Sequence, residues 1–164
     1  MQGDRNIIKL LNTVLTNELT SVNQYFLHAR MIQNWGFARL GKIVYDESIE
    51  EMKHADTLIK RIFFLDGLPN LQDLNKLAIG ESVPEAMAAD LALEVAGRAT
   101  LVPGIKQCEE AGDYISREIL ERILEDTEDH IDFLETQMNL IRALGEQNYL
   151  QSALGEMQGE GGAD

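Results

Sequence analysis

The sequence predicts an all-α protein, a bundle of four long helices in two antiparallel hairpins, with a long crossover between the hairpins and a short fifth helix at the C-terminal end. Three observations carry this. Leu, Ile, Ala and Glu are plentiful while aromatic residues and prolines are few, a helix-forming composition. Apolar residues recur at helical spacing through four long segments, for example Ile7, Leu11, Val14, Val22 and Tyr25 in the first. Two turn signals, Asn34-Trp35-Gly36 and Ala111-Gly112-Asp113, divide those segments into pairs.

The first helix is expected from Asp4 to Asn34 and the second from about Ala38 to Asp66. A connection follows, from Gly67-Leu68-Pro69-Asn70 to Ile79-Gly80-Glu81. Fully extended, about fifteen residues reach ~50 Å, whereas a helix of about 27 residues is ~40 Å long. The connection can therefore cross the whole bundle and join two parallel helices. The alternative is a slack loop between antiparallel neighbours, but loops of that length are uncommon without a task. The third helix starts near Ser82, a plausible N-cap, with Pro84 tolerated in its first turn and Pro103 a candidate kink before its end near Ala111. The fourth runs from Asp113 to Leu144 and stops at Gly145. The fifth covers Glu146 to Leu154. Residues 1–154 thus read as one domain, and 155–164, rich in Gly and Glu, as a flexible tail.

The net charge of −14 argues against nucleic acid, which requires clustered Lys and Arg. It suits attraction of metal cations, although solubility alone explains acidity equally well. Cys108 is the only cysteine, so an intrachain disulfide and a thiolate metal cage are both excluded. The N-terminus reads as an amphipathic helix rather than a signal core, and no apolar run has the length of a membrane span. These features together predict a cytoplasmic protein that uses neither membrane nor nucleic acid.

Each helix interrupts its apolar stripe with polar residues near its middle. Glu18 does so in the first, and Glu47, Glu51 and His54 in the second. Glu94 does so in the third, and Thr127 and His130 in the fourth. Core-facing carboxylates need a cation to neutralise them. Glu18 and the 51–54 pair are equidistant from the first turn, and Glu94 and the 127–130 pair from the second, so each hairpin brings its interruptions side by side. A Glu from each of two helices with Glu-x-x-His from the other two is the ligand pattern of di-iron carboxylate bundles. Here the fourth helix carries Thr127-Glu128-Asp129-His130 instead.

The segments Asn17-Glu18-Leu19, Asn23 to Met31, Glu47 to Asp56, Gly67 to Gln72 and His130 to Thr136 resemble bacterioferritin, and the similarity extends over about residues 1–154. The resemblance implies the ferritin-like fold and a hollow shell of about two dozen subunits built from two-fold dimers. It implies a ferroxidase that oxidises ferrous iron and stores ferric mineral, with haem b between subunit pairs. It also implies a small iron–sulfur ferredoxin as the partner for iron release. Glu18, Glu51, His54, Glu94 and His130 match five of the six ligands of the family's di-iron centre, with Glu51 as the bridge. Thr127 stands where the family has a second bridging glutamate, and Asp126 is the nearest substitute. Tyr25 resembles a tyrosine beside the centre, or else is ordinary core. Met52 matches the haem-ligating methionine, or else packs in a dimer contact without haem. His28 is expected at the surface or an interface. Asn148 and Gln151 resemble residues of a four-fold channel, or else form a solvated face. Asp46 and Glu50 would face the shell's interior, or else are plain surface charge.

Two further readings stand beside the ferroxidase. One is a haem-bearing, catalytically weak structural subunit that assembles with a second bacterioferritin subunit type, for which Thr127 is the warrant. The other is a di-iron enzyme without a cage, of the rubrerythrin kind, which the lack of cysteine pairs disfavours.

Overall fold

A computed structural model describes residues 1–156. It contains five helices: α1 (Arg5–Asn34), α2 (Ala38–Phe64), α3 (Val83–Glu110), α4 (Tyr114–Leu144) and α5 (Glu146–Ala153). The architecture is all-α, as expected, and its boundaries fall within two residues of those expected from the sequence. Asp4 caps α1 from outside, its carboxylate accepting the Asn6 and Ile7 N–H groups at 2.6 and 3.3 Å. Ser82 caps α3, accepting the Glu85 N–H at 3.3 Å, and Pro84 sits in the first turn where its missing donor costs nothing. Pro103 lies inside α3, which continues past it. α2 stops two residues short of the expected Asp66. Asp66 turns to φ +59° and the Gly67 N–H closes on the Ile62 carbonyl at 2.9 Å, which ends the helix. The tail expected over 155–164 lies mostly outside the described residues.

The hairpin turns occur where the sequence signals them. Gly36 (φ +98°) lies between α1 and α2, and Gly112 (φ +69°) between α3 and α4; both need a backbone that a side chain would strain. At the far end of the bundle Arg61 of α2 reaches Asp113 (2.6 Å) and the Ser116 hydroxyl (2.9 Å), tying α2 to the cap of α4.

The connection is a crossover. Its backbone N–H groups at Asn70, Asn75, Ala78 and Gly80 donate in turn to Asn12, Thr20, Gln24 and His28 of α1, at 2.7, 2.9, 2.9 and 3.0 Å. The chain thus climbs α1 from its first third to its last quarter, so α2 and α3 run parallel. This corrects the expected place of His28, which is fully buried rather than at the surface. Its Nε2 accepts from Gly80, so Nδ1 carries the proton and donates to Asp90 of α3 at 2.7 Å. Gln24 donates to the same Asp90 oxygen at 2.9 Å. Gly80 is packed so tightly on the start of α3 that a Cβ there would lie 2.2 Å from the Ala86 nitrogen.

The core falls into two apolar blocks. One gathers Ile7, Leu11, Val14, Leu58, Ile62, Leu101, Leu120 and Ile123. The other gathers Tyr25, Ile32, Leu40, Val83, Met87 and Leu134. A layer of buried polar side chains separates them: Glu18, Glu51, Glu94, Thr127 and His130.

Candidate metal centre

That layer arises because each long helix places its polar interruption at mid-height, and the two hairpins bring all four to one level. The three glutamates are 4–6% exposed, a burial that carboxylates tolerate only beside compensating charge. In one half, Glu18 Oε2 lies 3.0 Å and Glu51 Oε2 3.5 Å from His54 Nδ1. In the other, Glu94 Oε1 lies 2.8 Å from His130 Nδ1. Two groups of possible ligands result, Glu18–Glu51–His54 and Glu51–Glu94–His130, each with ligand atoms within 4.8 Å of one another. Glu51 belongs to both. All five residues expected at the centre are therefore brought together.

The positions flanking these ligands behave differently. Thr127 is buried in the layer, but its hydroxyl donates to the Ile123 carbonyl of its own helix at 2.7 Å. Asp126 reaches the neighbourhood but lies 2.8 Å from His54 Nε2, on the opposite side of the ring from Glu18. Tyr25 is fully buried; its hydroxyl donates to Glu94, and its ring meets His130 edge-on with centroids 5.3 Å apart. Phe133 stacks on His130, centroids 6.3 Å apart. Glu47, which sequence reasoning placed on the stripe but not among the ligands, lies 3.8 Å from His130 Nδ1. The signal for it was its spacing: it precedes Glu51 by one helical turn. A cavity of about 310 Å³ opens onto the layer between α2 and α4, lined by Glu47, Glu50, Glu51, His54, Asp126, Asp129, His130 and Phe133.

Without metal the layer holds protons. Burial, and then the neighbouring Glu18 carboxylate, push Glu51 up to about 8. Burial likewise raises Glu94, with His130 opposing and Glu51 adding to the rise. Burial alone would lower both histidines, but hydrogen bonds to carboxylates outweigh it, from Glu18 and Glu51 at His54 and from Glu94 at His130. The imidazolium groups thus occupy the role that a cation would take. The donor set, carboxylate oxygens with two imidazole nitrogens, suits hard and borderline divalent ions such as iron.

The other expected positions lie away from the layer. Met52 is 51% exposed on α2. Asp46 and Glu50 are exposed and paired with Lys42 and Lys53, each at 2.5 Å. Asn148 and Gln151 are exposed on α5, where the Asn148 amide donates to the Leu144 carbonyl. Cys108 is buried and unpaired. No described helix is long and apolar enough to cross a membrane.

Comparison with known proteins agrees with this geometry. The ferritin-like domain model matches residues 8–144. A bacterioferritin of Mycobacterium leprae is 48% identical over 91% of this chain and 94% of its own. One of Brucella melitensis is 47% identical over 92% and 94%, and one of Rhodobacter capsulatus 45% over 91% and 92%. With a four-helix bundle, a full-length crossover and a buried layer of carboxylates and imidazoles already in place, that extent of identity settles the family: the chain is a bacterioferritin.

Proposed function

We propose that this protein stores and detoxifies iron, and that its buried polar layer is a ferroxidase centre. The observation that carries the proposal is the pair of ligand groups sharing Glu51. Ferrous ions are the substrate. Glu18 and His54 hold one and Glu94 and His130 the other, with Glu51 between them as the bridge. Two bound ferrous ions together supply two electrons to dioxygen or peroxide. Ligand carboxylates offset the charge that builds on oxidation. Tyr25 keeps Glu94 oriented through its hydrogen bond, and the two aromatic rings hold His130 in place. Asp126 accepts from His54 Nε2, which leaves Nδ1 free to face the ion.

The remaining assignments rest on the family. Ferric product collects inside a shell of about two dozen subunits built from two-fold dimers. Met52 and its copy on a two-fold-related subunit would hold haem b; the soft thioether, exposed on α2, fits that role. A small iron–sulfur ferredoxin returns electrons for release, in the cytoplasm. Stopped-flow absorbance after mixing ferrous iron with aerobic protein tests the centre. Wild type is expected to oxidise iron well above the rate in buffer, and Glu51→Ala to lose most of that excess; equal rates in the two proteins refute the assignment. Light scattering tests the shell, and a monodisperse monomer or dimer would sink it.

Thr127 supports a second reading. Its hydroxyl is committed to Ile123, so α4 offers no carboxylate at that level. A haem-bearing structural subunit that co-assembles with a catalytic sister chain would show such a gap. A homopolymer that oxidises iron no faster than buffer favours it.

A further inference from the structure

Three carboxylates, Glu18, Glu51 and Glu94, face two prospective divalent ions. Their charge falls one short of neutralising a ferrous pair, and α4 carries Thr127 rather than a carboxylate at this level. We propose that Glu47 supplies the missing carboxylate, binding the ion held by Glu94 and His130. This rests on the reading of the layer as a two-ion centre.

Glu47 sits one turn before Glu51 on α2 and shares its face. Its Oε2 is 3.8 Å from His130 Nδ1, the nitrogen that Glu94 also approaches. Two ligands of one ion, with bonds of ~2.0–2.2 Å, stand roughly 3–3.4 Å apart. Relative to His130 the gap to close is therefore less than about 1 Å, and because Glu47 stands outside the preformed ligand group its side chain must also swing toward Glu94. Its side chain is 33% exposed and borders the cavity, so it has room to make that movement. Asp126 is worse placed for this ion. Its carboxylate is on His54 Nε2, turned away from the Nδ1 that faces Glu18 and Glu51, and it belongs to the other half of the centre. Thr127 offers no ligand there, because its hydroxyl donates to a carbonyl of its own helix. With Glu47 the four carboxylates match the charge of two divalent ions.

The test counts metal ions rather than turnover. The assembled, metal-free protein is dialysed against cobalt(II), which is not oxidised under these conditions, and affinities are read by titration calorimetry. Wild type should bind two ions tightly per subunit. Glu47→Gln, isosteric and on the cavity wall, should keep one and weaken the second by at least about tenfold. Adding Thr127→Glu to Glu47→Gln should restore the second. Two ions with wild-type affinity in Glu47→Gln overturn the proposal, and so does a wild type that binds only one. Glu51→Ala separates the premises. If it retains both ions, the shared centre itself is wrong; if it loses them while Glu47→Gln does not, only the role of Glu47 fails.

Discussion

Replacing Glu51 with glutamine should move the stability of the metal-free and metal-loaded proteins in opposite directions. The substitution keeps the volume and one acceptor oxygen but removes the titrating proton. Burial, then Glu18, hold the Glu51 carboxyl near 8 in the folded chain, against 4.5 as its ordinary value. A carboxyl whose folded value is raised contributes stability that is present in full below its unfolded pKa. That contribution is lost as pH rises through the folded value. At pH 7 the loss is about 3 kcal/mol, taking 1.36 kcal/mol for each unit between 4.5 and 7. For a chain of this size that corresponds to roughly 6–12 °C of melting temperature. His54 keeps Glu18 in the variant but loses the Glu51 carboxylate that also holds it up, which offsets part of the variant's gain. The melting temperatures of chelator-treated wild type and Glu51→Gln should therefore coincide near pH 4.5 and separate toward pH 8, the variant being the more stable. Excess divalent metal reverses the order. Two ions, each at about one hundred times its Kd, together stabilise wild type by ~5.4 kcal/mol, more than the about 3 kcal/mol that the variant gains, and the variant has lost the carboxylate shared by both. Differential scanning calorimetry at fixed protein concentration, with and without cobalt(II), reads both effects. Melting curves of the two metal-free proteins that run parallel from pH 4.5 to 8 would refute the reasoning.

Other outcomes follow from the same structure. Met52→Leu should abolish a bis-methionine haem spectrum while leaving assembly intact by light scattering; an unchanged spectrum removes Met52 from the haem site. His28→Ala leaves the Asp90 carboxylate and the Gly80 N–H without their partner, and should cost about 2–4 kcal/mol in denaturant unfolding and speed proteolysis within residues 67–80. Burial pulls Asp113 upward, but the Ser116 N–H and hydroxyl and the Arg61 guanidinium outweigh it and hold the carboxyl below its usual range. Its contribution is therefore present above the unfolded pKa and lost as pH falls through the folded one. Asp113→Asn should be less stable than wild type at pH 6, with the gap closing below pH 4, as measured by circular dichroism.

Much of this protein could be read from its sequence. Helical periodicity needs only the 3.6-residue repeat, and the turn glycines mark where it breaks, so helix number, hairpin pairing and boundaries within two residues were accessible. Glu18, Glu51, His54, Glu94 and His130 were also accessible, because a carboxylate or imidazole on an apolar stripe violates the burial rule wherever it occurs. Side chains off the main stripe were decided by tertiary structure. His28 looks like a surface residue until the crossover is laid along α1. Then Gln24 and His28, one turn apart, become the inner wall of a second interface that no local pattern announces. Asp126 and Glu47 are comparable. Both are acidic, both lie near the centre, and the sequence favoured Asp126 as the substitute. Only the packing of α2 against α4 showed Asp126 on the far nitrogen of His54 and Glu47 beside the near nitrogen of His130. Helical spacing places a residue on a face, but which atom of a ring it meets depends on the rotation and height of two helices at once, and that is settled by the packing of the two apolar blocks above and below the layer.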